Sequence, residues 1–417
     1  MVQLSNDCFA FGGGMMAVEP ALARLAGRLH PVTGTERVAL SDALGRALAG
    51  DVAAPFNVPP HDNAAVDGYA VFFDDLLPGG DTVLPVTARV AAGHPLGRPG
   101  RRGEAVRIFT GAPMPAGFDT VLMQEDCRAE GDTVAIPPGI ARGANRRCAG
   151  EDLRAGSVAL AAGRRLRPED IGLLASLGCR EVEVRRRLRA AVFSTGDELR
   201  EPGVPLGPGC IHDANRFALI AALRQLGCVV TDLGILPDRC AAIRDALAAA
   251  AAGHDVLVTS GGMSTGEEDH VKAAVEAQGS LDFWRLAIKP GRPVALGRVG
   301  EAAFVGLPGN PVAVMVTFLR IARPILLRLM GVVEEPPALF PVRAGFTYKK
   351  KPGRREYVRA TLARAADGVL TAVKHPRDGA GILSSMVESD GLVELPEEAT
   401  RVEPGAIVDF LPFSEVR

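Results

Sequence analysis

Residues 255–271 read DVLVTSGGMSTGEEDHV. A short apolar run, Val256, Leu257 and Val258, ends in Thr259 and Ser260, turns on Gly261 and Gly262, passes Gly266, and enters an acidic helix start at Glu267, Glu268 and Asp269. Strand, glycine turn, helix is the repeating unit of an α/β sheet. In such a sheet, ligands gather at the carboxyl ends of the strands. Glycine there lets the backbone come close, and a helix N-terminus offers unpaired N–H groups to an anion. Ser260, Gly261, Gly262 and Ser264 are therefore candidate anion-binding residues. The three carboxylates beyond them would repel a bare phosphate or oxyanion unless a hard cation such as Mg²⁺ lay between. The same carboxylates serve equally well as partners of the helix dipole.

Outward from this stretch the alternation is regular. RAAVFSTGDEL, residues 189–199, is a strand ending in Ser194, Thr195 and Gly196, with Asp197 and Glu198 beyond it. Then come a helix at 214–226, a strand at 228–234 and a helix at 240–252. After the central stretch, 286–288 and 304–306 read as further strands, and a long helix starts at Pro311. Strands alternating with helices require right-handed crossovers and a mostly parallel sheet. Parallel strands point their carboxyl ends the same way, so the loops at 195–198, 237–238, 259–269, 289–292 and 307–311 are expected to open on one rim. In the last of these, GLPGNP, Asn310 suits an N-cap and Pro311 a first helical turn.

Before residue 188 the texture differs. Residues 17–29 have helical apolar spacing, and 41–48 read as a second short helix capped by Ser41. PFNVPPHDNAAVDGYAV, residues 55–71, is a proline-stiffened loop presenting Asp62, Asn63 and Asp67. It suits a binding loop, and it also suits local turns in which those side chains bond their own backbone. Residues 83–136 alternate short apolar runs with Gly and Pro, which makes a β-rich module with Thr110 just past a strand. GANRRCAGED, 143–152, sets Arg146 and Arg147 ahead of Glu151, either as a salt-bridged linker or as anion binders. A helix and strand over 166–183 return the chain toward its N-terminal part. After Glu334, Glu335, Pro336 and Pro337 the pattern is β again, in EYVRATL, GVLTAVKHP, GLVELPE and AIVDFLPF. Lys349 to Lys351 reads as a solvated hairpin.

A chain of 417 residues, 47% hydrophobic with 48 Gly and 31 Pro, is folded, turn-rich and too long for one core. Its formal net charge of −2 provides no field to recruit nucleic acid or an anionic membrane. Seven cysteines without a CxxC pair indicate neither a disulfide framework nor a zinc site. The start lacks a basic region followed by an apolar one, and the apolar segment 312–333 carries Arg320, Arg323 and Arg328, which are costly in lipid. A soluble, cytoplasmic protein is expected.

Seven pieces in order carry a resemblance: PPHDNAAVDGYAV (59–71), IFTGAPMPAGFDTVLMQED (108–126), GED (150–152), FSTGDEL (193–199), TSGGMSTGEEDHVK (259–272), FWRLAIKPGRPVALG (283–297) and GLPGNP (306–311). Together they resemble the molybdopterin molybdenumtransferase family, the molybdenum insertases of molybdenum cofactor synthesis. The likeness covers nearly the whole chain. It departs in Ala64 where Ser is common, in Arg285 where Lys is frequent, and in Cys148 and Ala149 where a denser basic run occurs.

The resemblance implies an α/β multi-domain chain. Its parts are a small helical and extended N-terminal dimerisation domain (1–54 plus 150–187), a β-rich second domain (55–149), a central, mostly parallel α/β domain of the molybdopterin-binding kind (188–334) and a C-terminal β domain (335–417). It further implies a homodimer and Mg²⁺-assisted insertion of molybdate into adenylylated molybdopterin with release of AMP. Partners would be a molybdopterin adenylyltransferase and downstream molybdenum-cofactor proteins. By motif position, Asp67, Thr110, Glu198, Asp238 and Asp269 would be catalytic, with Glu198, Asp238 and Asp269 handling metal and phosphate. Arg147, Asp152, Ser260, Gly261, Gly262, Ser264, Arg285, Lys289, Pro308, Gly309, Asn310 and Pro311 would bind substrate, and Arg285 and Lys289 would neutralise its charge. Two alternatives share the α/β domain. An adenylyltransferase is usually that domain alone, so 1–187 and 335–417 argue against it. A non-catalytic scaffold of the gephyrin kind would have no use for Asp67, Glu198 and Asp269.

Overall fold

The computed structural model describes residues 16–26, 29–262, 270–333 and 336–416. The helix Val18–Ala26 packs Val18 and Ala21 into the central core. Thr35–Ala39 then pairs antiparallel with Glu181–Arg185, and Val52–Ala53 pairs with Val158–Leu160. The chain thus leaves this unit and comes back to it. Leu48, Leu160, Leu166, Leu174, Val182 and Val184 form its core.

Residues 41–48 are not the second helix the spacing suggested. A 3₁₀ turn covers Leu40–Asp42, Gly45 takes φ 73°, and Ala47 and Leu48 form bridges to Arg165 and Val184. The spacing of Leu40, Leu44 and Leu48 imitates a helix face, yet Leu44 is 55% exposed. Pairing with distant segments outweighs local propensity here.

The excursion between these passes is a six-stranded sheet. Its order is Thr120–Met123, Gly68–Val71, Ala105–Ile108, Thr82–Val90, Thr133–Ile136, Arg128–Glu130. Its two apolar clusters draw only on residues between Ala64 and Ile140, so it shares no core with the rest.

The central sheet runs Val229–Leu236, Arg189–Thr195, Val256–Ser260, Ala302–Leu307, Pro293–Val299, Gly279–Arg285. The first four strands are parallel and the last two are antiparallel to their neighbours. Helices cover both faces, as continuous apolar strands require. Ala190 and Val192 point to the side of Leu219, Leu223 and Val312, whereas Ala191 and Phe193 meet Ile243, Leu247 and Val271.

The sheet strand expected at 286–288 is absent, and Pro293–Val299 takes the place in the sheet. Leu286 and Ile288 are fully buried, but Ile288–Lys289 pairs with Arg355–Glu356 of the C-terminal unit. Their apolar alternation reports burial between two units. Two successive reversals leave Gly279–Arg285 parallel to the first four strands, so the 289–292 loop still faces their carboxyl ends.

The long helix from Pro311 has three parts: Pro311–Thr317, a π segment Phe318–Ala322, and Arg323–Leu329. Pro324, which has no N–H to donate, is the second residue after the π segment.

In the C-terminal unit, Arg355–Arg364, Leu370–Lys374, Phe340–Ala344, Ile407–Pro412 and Gly391–Leu395 pair in sequence. The last pairs back with the first, closing a small barrel. Val342, Val358, Val393 and Phe410 fill it, while Tyr357, Leu392 and Leu411 join the central core. The basic run is only partly a solvated hairpin. Lys349 and Lys351 are exposed, but Lys350 is buried and donates to the carbonyls of Pro396 (2.6 Å), Ala399 (2.7 Å) and Glu397 (3.3 Å). Its aliphatic stem packs inside while three carbonyls replace water around the ammonium. Among the described residues, no helix is long and apolar enough to cross a membrane.

Candidate active site

The rim begins where Thr195 ends its strand. Thr195 Oγ1 donates to Asp238 Oδ1 at 3.0 Å, joining the loops of two neighbouring strands. A bulge sets up this meeting. The pairing skips residues between Asp232 and Ile235, with Gly234 at φ 75° and its N–H donating to Asp232 Oδ1 at 2.9 Å. Such a bulge re-aims the strand end that carries Asp238. Next along the sheet, Gly261 N–H donates to Leu307 O at 3.0 Å. A Cβ on Gly262 would lie 2.7 Å from Val271 Cγ2 and 3.3 Å from Thr195 Cγ2, so only glycine brings the turn this close. Asn215 Nδ2 donates to Gly309 O at 2.7 Å. Thr195, Asp238, Ser260, Gly261, Gly262 and Gly309 therefore occupy one rim.

Glu198 lies exposed in the loop that follows Thr195, its carboxylate folded over Gly196. Beneath that loop Arg216 is 2% exposed and donates to Asp213 (2.9 Å) and Glu201 (2.6 Å) and pairs with Asp232. Burial opposes its charge, but the three carboxylates prevail and raise its pKa.

The rim donors are all oxygens, and the Ser194 and Thr259 hydroxyls just inside it are buried without a hydrogen-bond partner. That chemistry fits a hard cation such as Mg²⁺. Among the described residues no group of three His, Cys, Asp or Glu side chains is placed to hold a metal ion. Asp269 and Ser264 lie outside the described residues, as does the side chain of Arg285.

Beside the rim, between the central sheet and the barrel, is a cleft of about 410 Å³. Lys289, Arg292, Pro308, Gly309 and Asn310 line one wall, and Tyr348, Arg359, His375, Arg377 and Asp378 line the other. Four permanent cations thus face one carboxylate. Asn310 is the N-cap by position but makes no side-chain cap bond, and Pro311 fills the first helical turn. Lys289 Nζ donates to Tyr348 Oη at 3.1 Å and Glu356 Oε2 at 3.3 Å. Desolvation disfavours its charge, yet these two partners raise its pKa. Arg359 is 5% exposed and donates to Arg377 O at 2.8 Å. Burial lowers its pKa.

Asp67 and Thr110 meet each other elsewhere. Asp67 Oδ1 accepts from Thr110 N–H (2.8 Å) and Oγ1 (2.7 Å), which lowers its pKa. Arg147 is exposed on a two-residue strand opposite Asn63, and Asp152 is exposed in the return linker. Arg146 takes the ion-paired role, with Asp62 at 3.6 Å in place of Glu151. None of these residues lines the cleft.

The chain matches the MoeA N-terminal region (domain I and II) over 16–178, the probable molybdopterin binding domain over 191–328 and the MoeA C-terminal region (domain IV) over 341–413. The molybdopterin molybdenumtransferase of Haemophilus influenzae is 39% identical over 404 residues, 96% of this chain and 100% of that protein. This chain belongs to the molybdopterin molybdenumtransferase family. Molybdopterin molybdenumtransferase 2 of Mycobacterium tuberculosis is 35% identical over 398 residues, 92% of this chain and 95% of that one. A solved molybdopterin biosynthesis moeA protein from Pyrococcus horikoshii OT3 superposes with TM-score 0.80 at 28% identity, covering 96% of this chain and 100% of that chain.

Within the molybdenumtransferase architecture the candidate residues fall in all three matched regions. The rim and Lys289 lie in the molybdopterin binding region, Asp67 and Thr110 in the N-terminal one, and the second cleft wall in the C-terminal one. Reading the sequence missed that wall: Tyr348, Arg359, His375 and Arg377. The available signal, for Arg359 alone, was EYVRATL, a strand pattern that places Glu356 and Arg359 among apolar residues.

Proposed function

We propose that the protein is a molybdenum insertase, acting late in molybdenum cofactor biosynthesis to insert molybdate into adenylylated molybdopterin with release of AMP. The observation that carries this reading is the oxygen-lined, glycine-floored rim lying against a cleft with four cations. Lys289, Arg292, Arg359 and Arg377 supply the charge that an oxyanion needs on leaving water, with Arg offering paired donors to adjacent oxygens. The Ser260 to Gly262 turn presents backbone to the phosphates of an adenylylated substrate. Glu198 and Asp238 would hold Mg²⁺, which when bound supplies a Lewis acid for anhydride cleavage. Asp67, held ionised by Thr110, is a fixed acceptor for that site.

Asp67 and Thr110 stand on a unit with its own core, and we infer that a second copy brings them to its partner's rim. Val32, Leu44, Phe56 and Val158, all more than 40% exposed, supply apolar surface for such a homodimer. An adenylyltransferase that delivers the substrate and acceptors of the finished cofactor are the expected partners.

AMP released from adenylylated molybdopterin, with and without molybdate, tests the reading. Molybdate-dependent release is expected. Consumption of ATP to form the adenylylated pterin would instead assign the preceding adenylyl transfer, and neither reaction would leave a scaffold.

A further inference from the structure

Lys289 and Glu356 are direct cross-strand partners where Ile288–Lys289 pairs with the barrel strand Arg355–Arg364. Lys289 and Tyr348 line the cleft, whereas Glu356 lies behind them with its side chain 1% exposed. Every oxygen of that carboxylate is occupied. Oε2 accepts from Tyr348 Oη at 2.7 Å and from Lys289 Nζ at 3.3 Å, and Oε1 accepts from Arg354 Nε at 2.7 Å. An ammonium has three donors, and Lys289 commits two of them to Tyr348 and Glu356. The third is left for a ligand in the cleft, on a side chain still 44% exposed.

We propose that Glu356 and Tyr348 are positioning residues: from behind the cleft they hold Lys289 in one orientation, so that a bound oxyanion meets an aimed N–H donor. The proposal rests on the oxyanion reading of the cleft. A lysine stem has large rotamer freedom, and ordering it before the ligand arrives removes that cost from binding. Part of the central domain's anion affinity therefore resides in the barrel. Replacing Glu356 by Gln removes the charge that attracts Lys289 and leaves one acceptor oxygen for two sets of donors, Arg354 on one side and Tyr348 with Lys289 on the other, so the anchor of Lys289 weakens while volume is conserved.

Molybdate alone, titrated calorimetrically into the full-length protein, provides a readout independent of turnover. Glu356→Gln is expected to weaken binding roughly tenfold, the loss for one misdirected charge-assisted hydrogen bond. Lys289→Met should weaken it at least as much. In the Lys289→Met background Glu356→Gln should add nothing, because the residue through which it acts is gone. Tyr348→Phe, which keeps the carboxylate and is milder on the fold, should show a smaller loss that also vanishes in that background. Equal losses with and without Lys289 would overturn the positioning role and make Glu356 a strut of the fold. Undiminished affinity in both Glu356→Gln and Tyr348→Phe would overturn it too. If Lys289→Met itself bound molybdate normally, the oxyanion reading of the cleft would fall, and the positioning role with it.

Discussion

Arg216 has one guanidinium buried under the rim and three carboxylates on separate segments: Asp213 at the helix start, Glu201 in the loop after Glu198, and Asp232 at the bulge before Asp238. Removing the cation leaves those carboxylates facing one another with Asp213 fully buried. Arg216→Met should lower stability by about 3 kcal/mol, read from urea denaturation, with Arg216→Lys restoring only part because a compact ammonium lacks the planar five-donor fork that reaches all three carboxylates. A second single-residue effect is a pH dependence in the β-rich unit. Glu104 accepts from Arg98, chiefly, and from Thr87 and the Arg101 N–H. These hold its carboxyl well below the ordinary 4.5, at about 2, although burial pulls the other way. The unfolded chain then binds the proton more tightly than the folded one. The contribution is complete above the ordinary carboxyl pKa of 4.5 and is lost as pH falls toward about 2. Stability measured at about pH 6 and about pH 3 should differ less in Glu104→Gln than in the parent.

At the scale of elements, the β-rich unit depends on close approach of Gly68–Val71 to Thr120–Met123. A Cβ on Gly68 would sit 1.7 Å from Leu122 O, so the strands must separate for any other residue. Gly68→Ala should cost about 3 kcal/mol or more in thermal unfolding, at the upper end for overpacking because the obstacle is backbone. It should also disturb the adjoining Asp67. The elements themselves were legible to different degrees. Ala214–Leu226 has the bounds its pattern indicated, with Asp213 capping Arg216 N–H and Gly227 in the left-handed conformation closing it. Residues 41–48 misled because Gly45 turns the chain where the apolar spacing continues. Residues 286–288 misled because burial between units produces the same apolar run as burial within a sheet.

For the whole molecule, the separate core under Asp67 and Thr110 is the observation behind the proposal of a site shared between two copies. Sedimentation should give twice the chain mass of 43.6 kDa. Heterodimers of an Asp67→Asn chain with an Asp238→Asn chain should recover roughly half the activity per dimer, since two-fold symmetry leaves one site with both carboxylates and one with neither. Purified with two tags, heterodimers no more active than either mutant homodimer would place both carboxylates in one chain's site.

Local chemistry let the sequence by itself determine the α/β alternation, the β-rich units on either side, the glycine turn after Ser260 and the rim of loops around it. Each of these follows from periodicity, turn residues or caps within a few positions. The family was also legible, because seven spaced motifs leave little room for coincidence. Only the tertiary structure decided that Lys350 is buried, that the sheet ends in an antiparallel pair, and that Arg216 ties three segments together. It alone set Tyr348, Glu356, Arg359 and Arg377 around Lys289. Those partners are 59 and 67 residues away for Tyr348 and Glu356. A contact across such separations depends on how two folded units dock, and no local pattern in either stretch encodes the docking.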